Sequence, residues 1–196
     1  MFPIFLKLDG RRCLVVGAGK VAEGKIRGLL DGHASVEVVA PEATWQIKKW
    51  AWEGVIGWKA RTFQPTDLDQ VSIVIAATSN PEVNAEAFRQ ARLRNVLCNS
   101  VDDPQNCDFY YPAVVSRGDL QIAISTNGRS PALAQRLRRE LEAQFGPEYE
   151  AWVAELGKAR ELLNAHHLDT EARRKLLHEM ASSEAFSSRN SERGEN

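Results

Sequence analysis

Arg12-Cys13-Leu14-Val15-Val16-Gly17-Ala18-Gly19-Lys20-Val21-Ala22 is the stretch that decides the fold. A short apolar run stops at a glycine pair, and a helical pattern carried by Val21, Ile26, Leu29 and Leu30 follows. This predicts a strand, a glycine turn and a helix. After Gly32, the alternating Val36-Glu37-Val38-Val39 predicts a second strand and completes a βαβ unit. A helix with Trp45, Ile47 and Trp50, a strand around Val55 to Trp58 and the apolar run Val71 to Ala77 come next. A helix from Pro81 to about Arg94 then leads to the strand Val96-Leu97-Cys98-Asn99. Continuous apolar strands alternating with helices require a parallel sheet covered on both faces. The fold class predicted is α/β, a Rossmann-type parallel sheet domain.

The pattern changes near Tyr111. Ala113 to Ser116 and Leu120 to Ser125 read as two strands joined by Arg117-Gly118-Asp119, a hairpin marginal on its own and therefore expected to pair with a second subunit. Helices are predicted from Ser130 to about Phe145, from Glu148 to about Asn164 and from Thr170 to Met180. The second of these shows Tyr149, Trp152, Val153, Leu156, Ala159 and Leu163 on one face. The stretch 182–196 is too polar to offset its ordering entropy and is expected to be disordered. The organisation predicted is a Rossmann domain over 1–112, a dimerisation hairpin over 113–129, a helical domain over 130–181 and a tail over 182–196.

With 196 residues, 43% of them hydrophobic, the chain can bury one large core or two small ones. A net charge of -1 with mixed signs argues against bulk attraction to nucleic acid or an anionic membrane. No apolar run is long enough to span a bilayer, and the first residues lack a signal peptide's basic start, so the expected compartment is the cytoplasm. Cys13, Cys98 and Cys107 are an odd number without a CxxC pair, which points to reduced thiols. His166 and His167 are adjacent, point to different helix faces and are not a metal pair. No metal site is expected.

The glycine turn fits G-x-G-x-x-A, with Ala22 at the position that needs only close helix-strand packing. Gly17 permits the tight turn and Gly19 the close approach of a ligand. The amides around Lys20 and Val21 open a helix whose dipole favours a pyrophosphate. The acidic partner for the ribose is expected about 20 residues on. Pro41-Glu42 stands there, slightly late, and no arginine beside it could receive a 2′-phosphate. The pattern selects NAD over NADP. Thr78, at the end of a later strand, is placed either to line the nicotinamide side or to cap the following helix. Beyond Asn99, Asp102 lies in a loop at the same sheet edge and is open between a general base and a solvated turn residue. Ser130-Pro131 reads as a helix cap followed by a first-turn proline, and Arg129 with Arg136, Arg138 and Arg139 suits that helix to carboxylates, although a capped surface helix with solvated arginines is the commoner source of such a pattern.

Together, Pro3-Ile4-Phe5, the turn at Val15 to Ala22, Ala76-Ala77-Thr78, Cys98-Asn99-Ser100-Val101-Asp102, Phe109-Tyr110-Tyr111-Pro112 and Asn127-Gly128-Arg129-Ser130-Pro131 resemble the precorrin-2 dehydrogenase family, the siroheme-synthase N-terminal module, over about residues 2 to 145. The resemblance implies NAD-dependent oxidation of precorrin-2 to sirohydrochlorin, in many members followed by insertion of Fe2+ as a substrate, and a homodimer. It also implies cofactor contacts at Gly17, Gly19, Lys20, Val21, Pro41, Glu42 and Thr78, a catalytic Asp102, and a tetrapyrrole site that includes Asn99, Asn127, Gly128, Arg129 and Ser130. The methyltransferase domain fused to some relatives is not in the sequence. Two rivals remain at this point: a dehydrogenase without chelatase activity, and a Rossmann module that senses NAD and catalyses nothing.

Overall fold

The computed structural model describes residues 1–166 and 169–194. The chain divides into two units, Met1–Tyr110 and Tyr111–Asn196.

In the first unit the elements run β1 (Arg12–Val16), α1 (Lys20–Asp31), β2 (Ser35–Val39), α2 (Trp45–Trp52), β3 (Gly57–Lys59), β4 (Ile73–Ala76), α3 (Pro81–Leu93) and β5 (Leu97–Ser100). The five strands form one parallel sheet in the order β3-β2-β1-β4-β5. The order in which strands are added reverses between β1 and β4, which makes their carboxyl ends the switch point where ligands of such sheets gather.

The central strands β1 and β4 are buried on both faces, which is why they carry unbroken apolar runs, whereas β2 alternates around Glu37. Cys13 and Val15 of β1 join Val36, Val38, Ile73 and Ile75 beneath Ala22, Ile26 and Leu29 of α1 and Ile47 of α2. Leu14 and Val16 turn the other way, onto Val74, Ala76, Cys98 and the α3 residues Ala87 and Ala91. Cys13 and Cys98 therefore sit in opposite layers, both fully buried; burial pushes the first thiol up to about 11 and the second up to about 12. The strand expected at Val55 to Trp58 is a short Gly57–Lys59. In α2 only Ile47 is buried, while Trp45 is exposed.

The second unit holds the antiparallel hairpin β6 (Ala113–Arg117) and β7 (Leu120–Ile124), then α4 (Pro131–Gln144), α5 (Glu148–Ala165), α6 (Thr170–Met180) and α7 (Ser183–Gly194). Ala113 and Val115 are buried and Val114 is exposed, the alternation of a strand covered on one face. Arg117 ties the hairpin to the end of α4, donating from Nε to the Phe145 carbonyl at 2.9 Å and from a terminal nitrogen to the Glu142 carbonyl at 3.1 Å. The expectation of disorder beyond 182 fails for Ser183–Gly194, which is helical. Phe186 supplies the reason: its ring stacks within 4.5 Å of Tyr149 and 4.6 Å of Trp152 (centroid distances), an apolar anchor that a mean over a polar stretch conceals. His166 ends α5 with its Nδ1 2.8 Å from the Leu162 carbonyl oxygen, and His167 lies outside the described residues.

Candidate functional site

The glycine turn closes onto the end of β4. Gly17 holds φ at +105°, and a β-carbon there would lie 2.5 Å from the Ala77 carbonyl oxygen and 2.9 Å from the Thr78 nitrogen. Its amide donates to Val39 at 2.9 Å, and the Ala77 amide donates to Val16 at 2.8 Å. Gly19 is different. It precedes α1 in extended conformation, no side chain caps the helix, and a β-carbon would meet nothing within 4 Å. The first-turn amides of α1 are thus left for a ligand, and the space beside Gly19 is open to receive one. These residues fit a dinucleotide pyrophosphate. Lys20 and Val21 are exposed at this end, whereas Ala22 is fully buried, as its packing position requires.

The turn after β2 folds back over the glycine turn. The Thr44 amide donates to the Ala18 carbonyl at 3.1 Å, and the Thr44 hydroxyl caps α2 by accepting from Ile47. A hydrogen bond with Thr44 holds the Glu23 carboxyl below its usual range, with Lys20 adding to the effect. Pro41 and Glu42 are both exposed here. The neighbouring strand β3 ends in cations that are already engaged: Lys59 bonds Glu37 at 2.7 Å and Asp67 at 3.3 Å, and Arg61 grips both Asp67 oxygens. Asp67 is buried, which pushes its carboxyl up, yet hydrogen bonds from Arg61, the Gln64 amide and Lys59 outweigh this and hold it at about 2. Asp67 is braced by Lys59 of β3, by Arg61 and by the Gln64 amide, all within eight residues along the chain, and Lys59 carries the network on to Glu37 of β2.

Thr78 is engaged within its own turn. Its amide and hydroxyl reach Asn84 Oδ1 at 3.1 and 2.7 Å, and its carbonyl accepts from Asn84 Nδ2 at 3.0 Å. The cap of α3 is Asn80, whose Oδ1 accepts from Glu82 and Val83. Thr78 can therefore offer surface but no free hydrogen bond to a nicotinamide. Asn84 is nearly fully buried and fixes this loop; its place four residues after a capping asparagine was the available clue.

Asn99 also turns inward. Its side-chain amide donates to the Phe109 carbonyl at 2.8 Å and lies 3.4 Å from Cys107 Sγ. The loop that follows is pinned on both sides: Val101 donates to Ala76, Asn106 donates to Asp103, and the Cys107 thiol sits 3.1 Å from the Ser100 carbonyl oxygen. Asp102 stands at the tip, exposed, at φ +60°. Among the described residues no hydrogen bond or ion pair engages its carboxylate. Lys25 of α1 is close enough to feel it: burial pushes this ammonium down, while the charges of Asp102 and Cys107 oppose the shift. The first unit thus brings an open helix end and a free carboxylate to the carboxyl edge of one sheet.

In the second unit, Asn127 and Gly128 take φ of +54° and +74°, a left-handed pair that turns the chain into α4. Ser130 caps α4 by accepting from Leu133 at 3.3 Å, with Pro131 in the first turn. Arg136 and Arg138 are paired with Glu140 and Glu142 one turn on, whereas Arg129 is exposed ahead of the helix. Arg129 and Arg139 are exposed with no ion pair among the described residues, and of these Arg129 stands at the start of the helix. Among the described residues no group of three His, Cys, Asp or Glu side chains could hold a metal ion, and no helix is long and apolar enough to cross a membrane.

Comparison with known proteins agrees with this geometry. Residues 4–113 match an NAD(P)-binding family, and residues 117–144 match the central region of sirohaem biosynthesis proteins. Siroheme synthase 2 of Yersinia enterocolitica is 41% identical over 175 residues, 89% of this chain and 37% of its own length. The siroheme synthase of Xylella fastidiosa is 39% identical over 178 residues, 90% of this chain and again 37% of its own. The chain thus spans well under half the length of these curated relatives. A solved structure described as SirC, precorrin-2 dehydrogenase, superposes with a TM-score of 0.80 at 30% identity, covering 93% of this chain and 90% of that one.

Proposed function

The chain belongs to the precorrin-2 dehydrogenase family, and from that premise we propose that it oxidises precorrin-2 to sirohydrochlorin with NAD as electron acceptor. The observation that carries this reading is the bare amino end of α1 beside Gly19, at the switch point of the sheet. Gly17, Gly19, Lys20 and Val21 would hold the pyrophosphate, with Pro41 and Glu42 toward the ribose and Thr78 as a wall. Engagement of Lys59 and Arg61 by Glu37 and Asp67 favours NAD over NADP, since neither cation is free for a 2′-phosphate.

When bound, NAD supplies the two-electron acceptor. Oxidation removes two hydrogens from the macrocycle, and the one leaving as a proton needs a base. Asp102 suits that role because its carboxylate is exposed and, among the described residues, unpaired, while the loop that carries it is pinned at Val101, Asp103 and Cys107. The same carboxylate could accept ring-nitrogen protons during insertion of Fe2+, which would make this chain a chelatase as well. Arg129 and the capped start of α4 at Ser130 suit the acidic side chains of the tetrapyrrole, with Asn127 and Gly128 shaping the approach. Asn99 serves by holding the 107–109 segment in place.

The β6-β7 hairpin supports a homodimer, because a two-stranded sheet with Val114 outward leaves both edges to be paired. The deciding experiment supplies purified protein with precorrin-2 and NAD, with and without ferrous iron, and follows the absorption spectrum. Sirohydrochlorin and NADH should appear together in both, and a further change with iron alone marks chelation. An unchanged spectrum would overturn the dehydrogenase, and NAD binding without turnover would leave a sensor.

A further inference from the structure

We propose that Trp45 is the platform on which the adenine ring of the dinucleotide stacks, an inference that rests on NAD binding at the first unit. Trp45 is the first residue of α2 and follows Thr44, whose amide is bonded to Ala18 in the middle of the glycine turn. Trp45 is 73% exposed, whereas Ile47 two residues later is fully buried and Trp58 is tied through its ring nitrogen to the Ala40 carbonyl at 3.1 Å. The core therefore makes no use of Trp45. The Lys49 ammonium lies 5.6 Å from its ring centroid, a cation on one face that leaves the other for a second aromatic.

The position is the right one for a base. In doubly wound sheets the pyrophosphate sits at the first glycine turn and the adenosine ribose beside the end of the second strand. Trp45 opens α2 three residues after Glu42, directly beyond the turn that leaves that strand, so its exposed ring suits a base attached to a ribose near Glu42. Stacking on an indole uses the π-face common to all bases and needs no hydrogen bond from the protein. Replacement of adenine by hypoxanthine should thus matter little.

An internal control is at hand. Trp52 ends the same helix at 88% exposure, two turns from the cofactor end. Titration calorimetry on the full chain with NAD, ADP-ribose and nicotinamide mononucleotide, which lacks the adenine, tests the proposal. Trp45→Ala should weaken NAD and ADP-ribose about tenfold and leave the mononucleotide unchanged. Trp45→Phe should restore most of the loss, and Trp52→Ala should match the parent protein. Equal affinities of Trp45→Ala and parent for NAD, or an equal loss for the mononucleotide, would overturn the platform. Failure of the parent protein to bind any of the three would instead overturn the cofactor reading itself.

Discussion

Gly17 and Ala77 approach so closely that a β-carbon on the glycine would lie 2.5 Å from the alanine carbonyl oxygen. The contact is backbone on backbone, so neither side can yield by rotating a side chain, and φ of +105° adds strain for any other residue. Gly17→Ala should cost about 2–4 kcal/mol in denaturant unfolding and abolish NAD binding together with stability. A loss below about 0.5 kcal/mol would show that the turn relaxes freely.

Gly19 should behave in the opposite way. Its φ of -86° suits any residue, and an aspartate there would cap α1, which has no side-chain cap. Gly19→Asp should leave the melting temperature unchanged or slightly raised while removing NAD affinity, because the carboxylate occupies the space proposed for the pyrophosphate. Calorimetry with NAD and a thermal melt of the same sample check both halves.

Asp102→Asn should retain NAD affinity and fold, since asparagine tolerates φ near +60° and no described hydrogen bond depends on the carboxylate. Turnover of precorrin-2 should fall about 10²–10⁴-fold, the range expected for a lost general base. Normal turnover would remove Asp102 from the chemistry.

Asp67 makes a prediction about acid. Its folded pKa of about 2 lies below its ordinary value of 3.8, so its stabilisation is complete above that ordinary value and is lost as pH falls through about 2. Urea unfolding followed from pH 5 to pH 2 should show a loss of about 2 kcal/mol from this group, and Asp67→Asn should remove that component of the slope. An unchanged slope in the variant would assign the acid sensitivity to other carboxylates.

What the sequence made legible was what depends on neighbours along the chain. The apolar runs of β1 and β4 and the turn at Gly17 follow from local pattern, and Ser130-Pro131 announces α4 by capping chemistry alone. Asp67 went unread although its partners Gln64, Arg61 and Lys59 lie three, six and eight residues before it, because nothing in those letters shows that the carboxylate is buried. Thr78, open in sequence between a nicotinamide wall and a helix cap, and Asn99, expected at the tetrapyrrole site, have polar atoms engaged internally by Asn84 and Phe109 respectively. A polar residue at a sheet edge has the same letter whether it faces a ligand or braces a loop. The α7 helix was missed for a related reason, since one phenylalanine meeting two rings of α5 outweighs a dozen polar neighbours.

The burial of Cys13 in one layer and Cys98 in the other gives this protein a pair of built-in reporters. A thiolate-directed reagent can reach either sulfur only after the layer over it has opened, because both are sealed from solvent and held in the unreactive thiol form. Rates of modification at the two positions, resolved by peptide mapping, would time the release of the α1–α2 layer and of the α3 layer separately. If the two rates coincide, the sheet and both its coverings come apart as one cooperative body.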